Sequence, residues 1–85
     1  MTRSRQPEGE VFGQRLRELR QELGVTQRAL ATASGLTEAY ISNMENGFAV
    51  PSLTTVLRLA LALNCKVTAL TSVFDKVNLP AILPK

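Results

Sequence analysis

Apolar residues along this chain fall into periodic runs broken by glycine, asparagine and proline, and the runs have the spacing of helices. Phe12, Leu16, Leu19 and Leu23 lie four, three and four residues apart and form one stripe, which predicts a helix from about Glu10 to Leu23 with Gly24 as its stop. The stretch TQRALATASGLTEAYISNMENG, Thr26 to Gly47, then predicts two short helices around a tight turn. Thr26 is placed to cap the first with its hydroxyl, Leu30 and Ala31 face inward, and Gly35 supplies a positive-φ backbone where that helix must stop. Thr37 is the cap of the second. Within it Ile41 and Met44 are spaced toward a core, whereas Glu38, Ala39, Ser42 and Asn43 are spaced away from it.

Asn46-Gly47 reads as a helix stop and Pro51-Ser52 as a start, which predicts a fourth helix from Ser52 to about Leu63. Its Leu53, Val56, Leu57, Leu59, Ala60, Leu61 and Leu63 exceed what one core-facing stripe needs, so the excess is expected to be covered by something else. A last helix from about Val67 to Phe74 carries Val67, Leu70, Val73 and Phe74, although Lys66 before it offers no capping oxygen. The expected fold is all-α, a compact five-helix bundle. Residues 1–9 read as a flexible basic arm with Arg3 and Arg5, residues 10–75 as the helical domain, and residues 76–85 as an apolar tail with Val77, Leu79, Ile82 and Leu83.

Composition narrows the function. Eighty-five residues are expected to make one domain, with no room in them for a second, ligand-sensing one. Ten Lys and Arg against seven Asp and Glu give a net charge of +3, which suits a polyanion partner without requiring one. Catalysis is not expected: the chain has no histidine, no glycine-rich phosphate loop after a strand and no clustered carboxylates. Cys65 is the single cysteine, so an internal disulfide is excluded and a zinc site or a Cys-His nucleophile lacks its second member. It is expected to be a small core hydrophobe, and no metal or cofactor is expected. The start MTRSRQPEGE has no apolar run, and the stretch near Val56 to Cys65 is interrupted by Arg58, so neither a leader nor a membrane span is expected and the location is expected to be cytoplasmic.

Thr26 and Gln27, Ala31, Gly35, the run Tyr40-Ile41-Ser42 and the closing Glu45-Asn46-Gly47 stand at spacings that resemble the Cro/CI-type (Xre-like) helix-turn-helix family over roughly Phe12 to Phe74. The Tyr40-Ile41-Ser42 run is similar to that of restriction-modification controller proteins within it. The resemblance implies a lambda-repressor-like DNA-binding domain whose second motif helix enters the major groove with its N-terminal residues nearest the bases. By position it gives base-facing roles to Glu38, Ala39 and Asn43. Glu38 can accept from a cytosine amine, Ala39 can meet a thymine methyl, and Asn43 can bond adenine or reach a phosphate; alternatively Glu38 serves the helix dipole. Gln27 matches a position where an amide clamps a phosphate together with its own backbone N–H, and Arg28 adds charge beside it. Thr37, Tyr40 and Ser42 carry hydroxyls toward the DNA backbone, with a half-buried ring capping the core as the other reading of Tyr40. Asn46 matches a phosphate-donor position. Arg20 and Glu45 resemble the family's buried ion pair, whose role is orientation.

One departure stands out. The family usually follows Asn-Gly with basic residues, whereas Phe48-Ala49-Val50 comes here, so phosphate contacts are expected to move to Arg28, Arg58 or the Arg3-Arg5 arm. Phe48 and Val50, or the tail, otherwise offer an apolar site to a protein partner. The leading expectation is a transcriptional regulator that binds double-stranded DNA as a homodimer on a palindromic operator. Its dimer interface would be built from Leu61, Val67, Leu70, Val73, Phe74, Leu79 and Ile82, unless the tail instead lies across its own domain. The alternative is a protein-interaction module such as the antitoxin of a toxin-antitoxin pair.

Overall fold

The computed structural model describes residues 4–83, and the all-α fold expected is the one observed. Its elements are α1 (Pro7–Glu22), α2 (Gln27–Ser34), α3 (Glu38–Glu45), α4 (Leu53–Ala62), α5 (Val67–Thr71), a 3₁₀ segment (Ser72–Lys76) and α6 (Leu79–Ile82). Three hydroxyl caps start the middle helices where the sequence puts them. Thr26 Oγ1 accepts from the Ala29 N–H at 3.0 Å, Thr37 Oγ1 from the Tyr40 N–H at 3.0 Å, and Ser52 Oγ from the Thr55 N–H at 3.1 Å. Gly35 ends α2 at φ 72°, ψ 21°, the left-handed region that costs glycine nothing.

The ends of the chain differ from expectation. α1 starts three residues before Glu10, because Pro7 lacks only an N–H that a first turn leaves unused and Glu8 and Glu10 complement the N-terminal dipole. Residues 7–9 therefore belong to the helix and not to an arm. Leu23 caps α1 and is 50% exposed, so the apolar stripe ends one turn short. The last helix gives way at Ser72 to the 3₁₀ segment, which packs on α1, and α6 follows with Pro80 in its first turn.

Every helix from α1 to α5 contributes to one core: Phe12, Leu16 and Leu19; Leu30 and Ala31; Ile41 and Met44; Val56, Leu59, Ala60 and Leu63; and Leu70. Helix α1 packs on α3 and α5, α2 on α3 and α4, and α4 on α5. The α1–α3 crossing is backbone to backbone. A Cβ on Gly13 would overlap the Met44 carbonyl oxygen and lie 3.1 Å from the Glu45 carbonyl carbon, so only glycine permits this approach. Cys65 is partly buried against the core, and burial pushes its thiol up, with a smaller downward pull from Arg15.

The surplus on α4 is real and faces outward. Leu53, Leu57 and Leu61, each four residues after the last, form a ridge with exposures of 73%, 48% and 83%. Leu70, expected at a dimer interface, is fully buried in its own chain's core and is removed from that set. Its apolar side chain is already used by the fold. Phe74 also packs partly buried against the core, Val73 and Ile82 are half-buried, and Val67 and Leu79 keep open faces. Among the described residues no single helix is long and apolar enough to cross a membrane.

Candidate nucleic-acid interface

Helices α2 and α3 lie either side of a short turn, Gly35 to Thr37, and pack on each other, with Leu30, Ala31 and Ile41 buried in the common core. With Ile41 and Met44 fully buried, the opposite face of α3 is fixed outward. Glu38 and Ala39 are exposed there, and Ser42 and Asn43 are half-buried. The α3 N-terminus, whose first-turn N–H groups carry partial positive charge, is therefore open next to Glu38 and Ala39.

A single carboxylate sets the position of this helix. The Glu45 side chain has no exposed surface and accepts four hydrogen bonds. Oε2 accepts from Arg20 Nε at 2.6 Å; Oε1 accepts from Arg20 Nη2 at 2.9 Å, Gln27 Nε2 at 3.1 Å and Arg17 Nε at 3.4 Å. The donors come from α1 and from the first residue of α2, so the end of α3 is tied to both neighbours. Burial alone pushes the Glu45 carboxyl up. The hydrogen bonds of Arg20, Gln27 and Arg17 and the charge of Arg20 outweigh it and hold the carboxyl below the ordinary carboxylate range. Arg20 is correspondingly raised, chiefly by its bond to Glu45, and Nη1 also donates to the Val25 carbonyl at 2.8 Å.

Arg17 escaped the sequence reading. Its Nη2 donates to Asn46 Oδ1 at 2.8 Å, joining Asn46 to the same network. The available signal was its position one turn before Arg20, which puts two guanidinium groups on one face of α1. Asn46 Nδ2 in turn donates to Ser42 Oγ at 3.4 Å. Arg15 was missed as well; its Nε donates to the Ala69 carbonyl at 2.8 Å and fastens α1 to α5.

The other residues singled out fall into two groups. Gln27, Arg28, Thr37, Ser42 and Asn46 lie along the α2 start and α3, with Arg28 Nε donating to Glu38 Oε2 at 3.3 Å across the two helices. That pair is exposed, 84% and 51%, so it is easily exchanged for other partners. Tyr40 belongs elsewhere. Its ring packs partly buried on the core and its hydroxyl donates to Thr55 Oγ1 at 3.5 Å, the arrangement that the core-capping reading of this residue describes. Phe48 is not an open apolar site either, because the Arg5 guanidinium lies 4.6 Å from its ring centroid. Arg3 lies outside the described residues, as does the tail beyond Leu83.

Comparison with known proteins agrees with this geometry. Over 60 residues the chain is 43% identical to the propionyl-CoA carboxylase regulator of Cereibacter sphaeroides, covering 71% of this chain and 13% of that protein. Over 55 residues it is 49% identical to the HTH-type transcriptional repressor RghR of Bacillus subtilis, covering 64% of this chain and 41% of that one. The chain thus spans less than half the length of either curated relative. The crystal structure of the restriction-modification controller protein C.AhdI of Aeromonas hydrophila superposes with a TM-score of 0.71 at 44% identity, covering 73% of this chain and 94% of that one. Residues 16–70, more than half of the chain, match the helix-turn-helix family, and on that match the chain belongs to this family, in the Xre-like class its sequence resembles.

Proposed function

We propose that this chain is a sequence-specific DNA-binding transcriptional regulator that acts as a homodimer, with one α3 of each copy in successive major grooves of a two-fold-symmetric operator. The observation that carries the reading is the fixed outward face of α3: Glu38 and Ala39 stand open at a capped helix N-terminus while Glu45, at the other end, is locked to α1 and α2. A helix offered rigidly with a polar first turn is what major-groove reading requires. Glu38, Ala39 and Asn43 take the base-facing roles. Gln27, Arg28, Thr37, Ser42 and Asn46 take the backbone, and Gln27 keeps a second amide hydrogen for a phosphate after the one it gives Glu45.

The dimer reading rests on the leucine ridge of α4, three exposed leucines at i, i+4 and i+8, with Val67 and Leu79 as further exposed apolar residues. Two modules double the phosphates engaged, and a closed two-fold pair sets half-sites about 34–36 Å apart or a multiple. RghR is a transcriptional repressor and C.AhdI a restriction-modification controller, which supports the regulator class for this chain. Selection of bound duplexes from a random DNA library at near-physiological salt tests the reading. A two-fold-symmetric motif with half-sites one turn apart is the expected result; no enrichment overturns it.

A further inference from the structure

The loop after α3 lacks the basic residues that the DNA-binding reading calls for, and the fold brings one there from the other end of the chain. Gly9 and Gly47 let the first turn of α1 press on this loop: a Cβ on Gly9 would lie 3.1 Å from the Gly47 carbonyl oxygen, and one on Gly47 would lie 2.8 Å from Glu10 Cγ. The chain just before α1 is therefore laid along residues 46–48. Arg5 is held there twice. Its Nε donates to the Asn46 backbone carbonyl at 2.9 Å, and its guanidinium rests on the Phe48 ring at 4.6 Å. The carbonyl lies at the C-terminal end of α3, where the helix dipole favours a cation, and the ring adds a cation–π attraction. The hydrogen bond uses Nε, which leaves Nη1 and Nη2 able to turn toward a phosphate, and the side chain stays exposed.

On the reading that this protein binds DNA, we infer that Arg5 is a phosphate-contacting residue that replaces the missing basic loop, with Phe48 as the platform that aims it. Phe48 is thus explained without a protein partner. Arg17 stands on the other side of Asn46, bonded to its Oδ1, so two guanidinium groups flank the end of the recognition helix. Glu10 and Glu18 line the same cleft as Arg5 and Arg17 and repel an anion there, which works against a phosphate entering the cleft itself. Ordering Arg5 before binding also removes part of the entropy cost that a loose arm would bring to the complex.

The test is salt-dependent binding of the full chain to a random-sequence duplex, measured for the unmodified protein, Arg5→Ala and Phe48→Leu. Arg5→Ala is expected to lower the log–log salt slope by about 0.9 per bound protomer. In fold-change, Arg5→Ala should shrink the loss of affinity between about 50 and 200 mM salt by about three- to fourfold per protomer. Base preference in the library selection should stay unchanged. Phe48→Leu should reduce affinity in the same direction as Arg5→Ala and by less, because it removes the platform and leaves the charge. Thermal midpoints report whether either variant has lost its fold. An unchanged slope in a folded Arg5→Ala protein overturns the inference alone, as does a change in base preference without a change in slope. Failure of the unmodified protein to bind any duplex even at low salt overturns the DNA-binding reading and this inference with it.

Discussion

Replacing Arg20 by methionine removes the main partner of a carboxylate that has no exposed surface, and the consequence can be worked out from the contacts. Glu45 loses its 2.6 and 2.9 Å bonds to Arg20 and keeps those to Gln27 and, at 3.4 Å, Arg17. A buried ion stripped of its partner costs about 3–5 kcal/mol. The two surviving donors, one of them a partly exposed arginine, put Arg20→Met at the lower end, about 3 kcal/mol. The Val25 carbonyl also loses its donor, but Val25 is half-buried and water can replace it at small cost.

For a small domain the urea slope is about 1 kcal/mol per molar, so the unfolding midpoint should fall by about 3 M. On a thermal scan the same loss corresponds to roughly 12–24 °C. The pair need not stabilise relative to an apolar substitute, and the double variant Arg20→Met/Glu45→Leu should regain most of the loss. Two results refute this reasoning. A cost below about 1 kcal/mol for Arg20→Met would make the pair equivalent to an exposed ion pair. A double variant less stable than the single one would show that the pair, not the stranded charge, carries the energy.

Four further outcomes are expected. Because the folded-state carboxyl of Glu45 is held below its ordinary value, its contribution is complete above the unfolded carboxylate range, about pH 4.3, and is lost as pH falls through the depressed value; urea midpoints between about pH 6 and pH 2 should show a drop that Arg20→Met/Glu45→Leu lacks. Gly13→Ala forces α1 off the Met44 carbonyl and should cost about 3 kcal/mol by the same assay, whereas a neutral change would mean the two helices can separate freely. Leu61→Glu, at a position 83% exposed, should leave the thermal midpoint of the isolated chain unchanged and convert a dimer to monomer in sedimentation equilibrium; a dimer that persists excludes the α4 ridge. Gln27→Ala should weaken binding to all duplexes alike, while Glu38→Ala should change which sequence is selected, and an unchanged selection removes Glu38 from the base-reading set.

The parts of this fold that are written locally were readable from the chain. A hydroxyl three residues before the N–H it caps, or a glycine where a helix must turn left-handed, is decided within one turn, which is why Thr26, Thr37, Ser52 and Gly35 stand where they were expected. Leu70 was assigned to a surface because periodicity gives a face but not which neighbour covers it, and α5 turns out to spend that face on α1 and α4. Gly13 gave no local signal: its reason is the Met44 backbone, thirty-one residues away in sequence. α6 was missed because Pro80 reads as a breaker unless its place in a first turn is known. The Arg20–Glu45 pairing came only through family resemblance, and Arg17, one turn earlier on the same helix, was not assigned a role because its partners Glu45 and Asn46 lie on a distant helix end.

One consequence of the Glu45 network reaches the proposed DNA surface itself. The carboxylate holds Arg17 and Arg20 of α1, Gln27 at the start of α2 and, through Arg17, Asn46 at the end of α3. Gln27 and Asn46 are the two ends of the proposed backbone-contacting set, so the group that orients α3 would also fix the proposed phosphate donors relative to it. A carboxylate is suited to this because its two oxygens accept several bonds at once, and a neutral amide in its place would offer one oxygen and two donors to the same arginines. Glu45→Gln should therefore loosen both ends together: affinity for every duplex should fall as Gln27 and Asn46 lose their placement, and discrimination between duplexes should fall with it as α3 gains freedom in the groove. If Glu45→Gln lowers stability but leaves both affinity and discrimination intact in the folded fraction, the network serves the fold alone, and the phosphate donors are positioned by their helices without it.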